Sequence, residues 1–351
     1  MGNSRQHVIE IDGSYGEGGG QILRTSLALS AVLKIPVHIY HIRGGRKKPG
    51  LQPQHLKGVE ALSRITGGQM EGAKRGSPSI SFIPQAISSG EYRFEVGTAG
   101  SVTLLLQTIL LPLSFAKTRS RVTLTGGTHV PWSPPFHYFS EVLIPTLKTM
   151  GVSIKATLGR WGWYPKGGGV MRVEIEPAPE LKPIGMLERG SIKQIRGMCA
   201  TSQLPQHIGE RLKDFATREI ERQMSMDSEL DVLHDVPANG PGAFIFLVAE
   251  SEGAIAGFSS IGERGRRAED VAKEAVDNLR AYLESDSCLD PHLADQILPF
   301  MALAHGDSVF TTSQTTEHLL TNLWVLRQFL DVKFSILGEK GKKGRIELSN
   351  E

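Results

Sequence analysis

The strongest constraint on this chain is a layout that recurs every 82 to 84 residues. Gly13 and Gly97 lie 84 positions apart, and Gly45 and Gly127 lie 82 apart. A period of that length describes a supersecondary unit that buries its apolar face only against its neighbours. The first unit reads as a strand Val8–Ile11, Asp12-Gly13, a Gly-rich loop and an amphipathic helix from Gln21 to Leu33. A strand Val37–Ile42, a Pro-containing loop and a helix Gln54–Ile65 follow. The second unit has a strand Tyr92–Val96, a small-residue loop Gly97–Ser101 and helix Leu104–Phe115. It continues with strand Arg121–Thr125, helix Phe136–Met150 and strand Val170–Glu176.

The pattern returns near the end, with helices at His292–Leu303 and His318–Leu330 and strands at Ser308–Thr311, Val332–Leu337 and Arg345–Leu348. Between Glu188 and Glu284 the period breaks, and strands and helices of a different spacing appear. The expected fold is therefore α/β. Three repeated units, each with two helices on a four-stranded sheet, carry a smaller inserted α/β domain. The boundaries expected are 1–187 for the first two repeats, 188–284 for the insert and 285–351 for the third repeat. If the units superpose, the loops Arg43–His55, Gly126–His137 and Thr312–His318 converge on one cleft.

Composition removes several function classes. With 39 Lys+Arg against 37 Asp+Glu, the net charge of +2 excludes polyanion binding through bulk charge, so any phosphate recognition must be local. Two cysteines, Cys199 and Cys288, are too few for a disulfide framework or a thiolate metal site. The polar stretch Met1–Asp12 has no signal core, and Gln6 stands where a myristoylation site at Gly2 would want Ser or Thr. Leu104–Ala116 is too short and too interrupted to span a bilayer. A cytoplasmic protein with no membrane partner is expected.

Glycine, at 39 residues, is enriched and clusters in loops. Gly16-Glu17-Gly18-Gly19-Gly20-Gln21 precedes a helix, where bare backbone amides and the helix N-terminus favour an anion. It lacks both the Walker A ending and the dinucleotide spacing, so a tight strand–helix turn is an equal reading. Glu17 suits either a divalent cation or a solvated loop. Arg43, Arg46, Lys47 and Lys48 crowd one Gly-rich loop, with Arg24 nearby, and suit phosphate oxygens or simply solvent. Arg160–Gly169 holds Trp161, Trp163 and Tyr164 beside Lys166, either as base-stacking groups or as packing. His318 falls in the first turn of a helix that Thr316 would cap. There the positive helix end keeps the imidazole neutral, which a nucleophile needs, although a plain polar role fits as well.

Taken together these segments resemble the RNA 3′-terminal phosphate cyclase family. The matching residues are Asp12-Gly13, Gly16–Arg24, Ile42-Arg43, Gly45-Arg46, Lys48–Leu51 and Gln54–Leu56. They continue with Gly97–Ser101, Gln107, Gly126–Thr128, Tyr164-Pro165, Gly167–Gly169, Leu293–Gln296 and His318–Asn322. The resemblance runs from Ile9 to the C-terminus. It implies an ATP-dependent ligase of RNA processing that converts an RNA 3′-phosphate to a 2′,3′-cyclic phosphate, releasing AMP and diphosphate. It further implies a covalent histidine–AMP intermediate at His318, as expected where nucleophilic catalysis splits one hard step into two. By the same resemblance Gln107 and the segment His292, Leu293, Ala294, Asp295 and Gln296 bind ATP. Arg24, Arg43, Arg46, Gln54 and His55 hold phosphates or the RNA end, and Glu17 holds Mg or Mn. His292 departs from the aromatic Tyr that the family places before Leu-Ala-Asp-Gln, and stacks less strongly on adenine. Two other classes remain: a non-catalytic cyclase-like RNA-processing protein, against which His318, Arg24 and Glu17 argue, and an enolpyruvyl transferase on similar repeats.

Overall fold

The computed structural model describes residues 8–349. Met1–His7, part of the polar N-terminus considered above, lie outside the described residues. From the start the chain alternates: β1 (Ile9–Asp12), α1 (Gly20–Leu33), β2 (Val37–Tyr40), α2 (Pro53–Thr66), β3 (Gln69–Glu71) and β4 (Ile80–Ile83). It then runs β5 (Glu91–Glu95), α3 (Val102–Ser114), β6 (Ser120–Gly126), α4 (Phe136–Tyr138), a π-helical turn Phe139–Leu143, α5 (Ile144–Thr149), β7 (Ile154–Arg160) and β8 (Gly169–Ile175). A two-residue strand β9 (Gly185–Met186) is followed by β10 (Ile192–Ser202), α6 (His207–Met224), β11 (Glu229–Leu233), β12 (Gly242–Ser251), β13 (Ile255–Ile261) and α7 (Ala268–Ser285). The chain closes with α8 (Pro291–Met301), β14 (Ser308–Thr312), α9 (Glu317–Phe329), β15 (Lys333–Leu337) and β16 (Gly344–Ser349).

Three of the four sheets share one order, β1-β2-β4-β3, β5-β6-β8-β7 and β9-β14-β16-β15. In each, the first pair is parallel and the rest antiparallel. The third sheet differs from the sequence expectation in one respect. Its first strand, β9, precedes the insert and pairs with β14 through Val309↔Gly185 and Phe310↔Met186. Two residues carry too little alternation to be read as a strand, so periodicity alone put the whole unit after the insert. Periodicity also leaves unread the short β3 and β4, the five-residue β11 and the seven-residue β7.

Helices line the inside. α1 packs against α2, α3 and α9, and ten of its residues, Gln21 to Ala31 with Arg24 excepted, are buried. A helix buried on nearly every side sits at the centre of the molecule rather than on its surface. The main core runs from Ile11 and Leu27 through Leu106 and Leu124 to Leu319 and Ile346, so all three sheets share it. A second core, with Leu212, Ile220, Ile245, Leu247, Val276 and Leu279, belongs to β10–α7.

β12 joins the two cores by the period-2 alternation of a strand. Ile245 and Leu247 face α6 and α7, whereas Phe244 and Phe246 on its other face enter the main core. There they meet His129, His137, Trp161 and Trp163. The His129 ring stacks on Trp161 at 4.1 Å and lies edge-on to Phe244 at 4.7 Å. Trp163 Nε1 donates to Ser202 Oγ at 2.7 Å, fixing the insert at a second point.

Candidate active site

Hydrogen bonds tie the three units together around α1. Thr25 Oγ1 on α1 donates to Asn322 Oδ1 on α9 at 2.8 Å, and Asn322 Nδ2 donates to the Asp295 carbonyl on α8 at 2.8 Å. Gln107 Nε2 on α3 donates to Gln296 Oε1 on α8 at 2.7 Å. Ser101 N at the start of α3 donates to Gln54 Oε1 on α2 at 3.0 Å. The N-terminal turns of α1, α2, α3, α8 and α9 thus meet at one end of the helical layer. Their dipoles, and the amides at the start of α1, which no side chain caps, favour an anion there.

His318 is the second residue of α9, and Thr316 caps that helix by accepting from Leu319 N at 3.0 Å. Its Nδ1 is bound to Gln21 Oε1. An amide oxygen only accepts, so Nδ1 carries the proton and Nε2 keeps a free lone pair. The ring remains open to solvent on one side. Desolvation by the surrounding atoms, then the charges of Arg24, His292 and Arg46, push its pKa down to about 4. Gln21 was not singled out in the sequence as a site residue, although it ends the Gly-rich motif. Its Nε2 also reaches Asp295 Oδ2, at 3.5 Å.

Arg24 points from α1 toward the same end. Burial lowers its pKa to about 10, and the neighbouring Asp295 carboxylate opposes that fall. Burial in turn raises Asp295 to about 7, with Arg24 pulling the other way. No hydrogen bond to another described residue satisfies the Arg24 guanidinium, which leaves its donors for a ligand. His55 stands beside it. A Cβ on Gly20 would lie 2.4 Å from His55 Nε2 and 2.9 Å from Arg24 Nη1, so only glycine admits both side chains over the start of α1. His55 Nδ1 accepts from Gln52 N at 3.2 Å, which turns Nε2–H toward Gly20. Burial and then Arg24 and Arg43 depress its pKa to about 3. A small cavity lined by Arg24, Gln54, His55, Leu104 and Thr108 extends beneath them.

Glu17 folds back over Gly19 and forms an ion pair with Arg46 through Oε1. Its N–H donates to Thr321 Oγ1 at 3.2 Å, bringing the Gly-rich loop onto α9. Glu17 Oε2 is buried with no partner. An unsatisfied carboxylate oxygen at the edge of an anion site fits a divalent cation held chiefly by substrate phosphates. Among the described residues there is no group of three or more His, Cys, Asp or Glu placed to form a metal cage.

The other residues named from the sequence divide. Gln296 Nε2 holds the His292 carbonyl at 2.8 Å, and the exposed His292 ring lies edge-on to Tyr138 at 6.3 Å. Leu293 and Ala294 are wholly buried in the main core. Their side chains therefore pack α8, and what this stretch can offer a nucleotide at these two positions is its backbone. Arg43 sits at φ 55° and donates to the carbonyls of Lys48 and Gly50, so it braces its own loop. Asp290 and Tyr138 form a polar pair that the sequence did not flag. The Asp290 carboxylate caps α8 and accepts from Tyr138 Oη at 2.8 Å.

Comparison with known proteins adds a decisive fact: the family model described as RNA 3′-terminal phosphate cyclase matches residues 15–336. The chain belongs to the RNA 3′-terminal phosphate cyclase family. Proteins named RNA 3′-terminal phosphate cyclase are similar to it along almost their whole length. That of Staphylothermus marinus is 44% identical over 348 residues, 97% of this chain and 98% of the relative. That of Pyrobaculum aerophilum is 42% identical over 336 residues, 95% and 96% of the two chains. That of Nostoc punctiforme is 43% identical over 329 residues, 92% and 94%. Among solved structures, the enolpyruvyl transferase NikO from Streptomyces tendae overlaps 97% of this chain and 48% of its own, at 12% identity and a TM-score of 0.40. At that level the likeness decides neither fold nor activity.

Proposed function

We propose that this chain is an ATP-dependent RNA 3′-terminal phosphate cyclase that works through His318. The observation that carries the reading is the His318–Gln21 contact at the start of α9. It presents a neutral imidazole, its lone pair on Nε2, beside Arg24. Nε2 attacks the α-phosphorus of ATP; the bond to diphosphate breaks, and AMP is joined to the ring while the Nδ1 proton stays against Gln21. Arg24, Arg46, Gln54 and the Nε2–H of His55 bind and orient phosphate oxygens, with the amides at the start of α1 behind them. An RNA 3′-phosphate oxygen then takes AMP from His318, restoring the imidazole. Attack by the adjacent 2′-hydroxyl on that phosphorus closes the ring and expels AMP. Mg²⁺ or Mn²⁺ at Glu17 supplies charge neutralisation on the ATP phosphates.

Gln107, Gln296, Asp295 and His292 form the adenosine side of the site in this reading, joined by the hydrogen bonds of α3 to α8. Arg43 acts by shaping the phosphate loop. The partners are ATP and RNA 3′-phosphate ends, and the compartment is the cytoplasm. Both cysteines are free and buried, and among the described residues no helix is long and apolar enough to cross a membrane. The organisation proposed remains a large domain, 1–187 with 285–351, carrying the insert 188–284.

The test is covalent labelling. Protein incubated with α-labelled ATP and Mg²⁺ or Mn²⁺ should retain label on the peptide that contains His318, and His318→Ala should retain none. Wild-type protein that stays unlabelled with both metals refutes the reading.

A further inference from the structure

The aromatic motif Arg160–Gly169 is only half absorbed by the fold. Trp161 and Trp163 are buried against His129 and Phe244, which is the packing role. Tyr164, one residue further, is 69% exposed, and Lys166 beside it is exposed too. A second aromatic stands out more. Trp132 is 98% exposed, at φ 63°, a left-handed conformation that a bulky L-residue avoids.

The loop that holds Trp132 outward is not slack. Ser133 Oγ donates to the Val130 carbonyl at 3.0 Å, Phe136 N to the Thr128 carbonyl at 2.9 Å, and Thr103 Oγ1 to the Pro134 carbonyl at 2.6 Å. Pro131, Pro134 and Pro135 stiffen it further. A wholly solvated indole on a stiff, strained loop gains the fold nothing, and such strain collects at ligand clamps.

Both aromatics are tied to one segment next to the phosphate site. Gly127 N donates to the Gly100 carbonyl at 2.8 Å, and Val102 N to the Gly127 carbonyl at 2.9 Å. Gly167 abuts the same segment, where a Cβ would lie 2.8 Å from the Thr98 carbonyl oxygen. His129 N donates to the Gly162 carbonyl at 3.1 Å, which joins the two loops to each other. Ser101, the end of that segment, donates to Gln54 in the site.

We infer that Trp132, Tyr164 and Lys166 form a platform for the unpaired nucleotides just upstream of the RNA 3′ end. Two exposed rings and a lysine without an ionic partner among the described residues are the groups that hold single-stranded nucleic acid, by stacking bases and meeting phosphates. The platform gives the enzyme a grip on strand rather than on the terminal phosphate alone. It rests on this chain acting on RNA ends, and does not depend on which residue carries AMP.

The test is a fluorescence titration of the full chain with a single-stranded RNA hexamer bearing a 3′-phosphate, and separately with a nucleoside 3′-monophosphate and with ATP. The hexamer should quench the exposed Trp132 emission, the mononucleotide should not, and the quench should vanish in Trp132→Phe. Trp132→Ala and Tyr164→Ala should each weaken hexamer binding by on the order of tenfold. Trp132→Phe should restore most of it. Lys166→Gln should reduce the salt dependence of binding by about one phosphate contact. Trp132→Ala should melt like wild type, since its side chain packs on nothing. If the hexamer binds wild type but Trp132→Ala binds it equally well, the platform is wrong while the RNA-end reading stands. Quenching of Trp132 by ATP alone, or loss of self-association in Trp132→Ala with hexamer binding intact, overturns the platform by assigning the indole elsewhere. A wild-type chain that binds no hexamer overturns both.

Discussion

The seam between the insert and the main core should fail in mild acid, and one substitution should isolate the cause. His129 Nε2 and His137 Nδ1 share a hydrogen bond of 2.8 Å, so at most one proton lies between them. Both rings are buried among Trp161, Trp163 and Phe244. Burial pushes His137 from 6.5 down to about 4, and pushes His129 down as well, helped by His137. Between those values the unfolded chain binds the proton and the folded chain does not, so stability is complete above 6.5 and falls as pH drops toward 4. At about 1.36 kcal/mol per pH unit, the gap for His137 alone amounts to about 3 kcal/mol.

His55 and His318 are depressed too and act in the same direction, so the wild-type slope alone proves little. The informative quantity is the difference between wild type and His137→Gln, whose amide keeps a hydrogen bond to His129 without titrating. Urea unfolding at pH 7.5, 6.5, 5.5 and 4.5 should show the variant less stable than wild type at neutral pH, with the deficit shrinking steadily below 6.5. A constant deficit at every pH would mean that the native ring titrates normally, and the argument from burial would be wrong.

Substitutions at three further positions follow. Gln21→Leu should leave stability nearly unchanged but slow His318 labelling by on the order of 10- to 100-fold, since the ring loses its anchor; Gln21→Glu should instead raise the pH at which labelling fails, because a carboxylate favours the imidazolium. Gly16→Ala should cost about 1–2 kcal/mol for its left-handed backbone and should also weaken activity. Its Cβ would lie 2.4 Å from Thr321 Oγ1, the group that holds Glu17 N–H; thermal unfolding and labelling check the two parts separately. Asp290→Ala should lose about 2–4 kcal/mol by uncapping α8 and stranding Tyr138 Oη. Asp290→Asn, which keeps an acceptor for the helix amides, should lose clearly less in the same urea assay.

What the sequence made legible was whatever has a long period or a one-letter signature. The helices from Gln21, Gln54 and His318 and the cap at Thr316 emerge from spacing and residue type. Strands are legible unevenly: the four-residue β1 and β2 are read while the seven-residue β7 is not, and the two-residue β9 is the costly case, since it decides how the third sheet is assembled. Leu293 to Gln296 show another limit: a motif names neighbours in sequence, whereas a helix turns about 100° per residue, so Leu293 and Ala294 face the core while Asp295 and Gln296 come round toward Gln21 and Gln107. Gln21 was hidden for a subtler reason. Its importance lies in having His318 opposite it, 297 residues away, and no local pattern records that pairing.

The placement of β9 also sets an order of events in time. The third sheet, which carries the strand leading into His318, joins residues more than 120 positions apart. Closing so long a loop is slow and entropically costly, but the insert removes most of that distance once it has folded. Arg189 at its entrance donates to the carbonyls of Tyr282 and Leu283 and pairs with Asp286 at its exit. Thr311 then links both flanks, accepting from Cys288 N and donating to the Leu187 carbonyl at 3.0 Å each. Shrinking the effective loop from roughly a hundred residues to a handful is worth about 2–3 kcal/mol of closure entropy. On the ribosome the insert emerges before α8 and α9, so the helix that carries His318 is made after the seam onto which it docks. The histidine proposed as nucleophile thus enters its place after the insert has folded, with only β15 and β16 still to come.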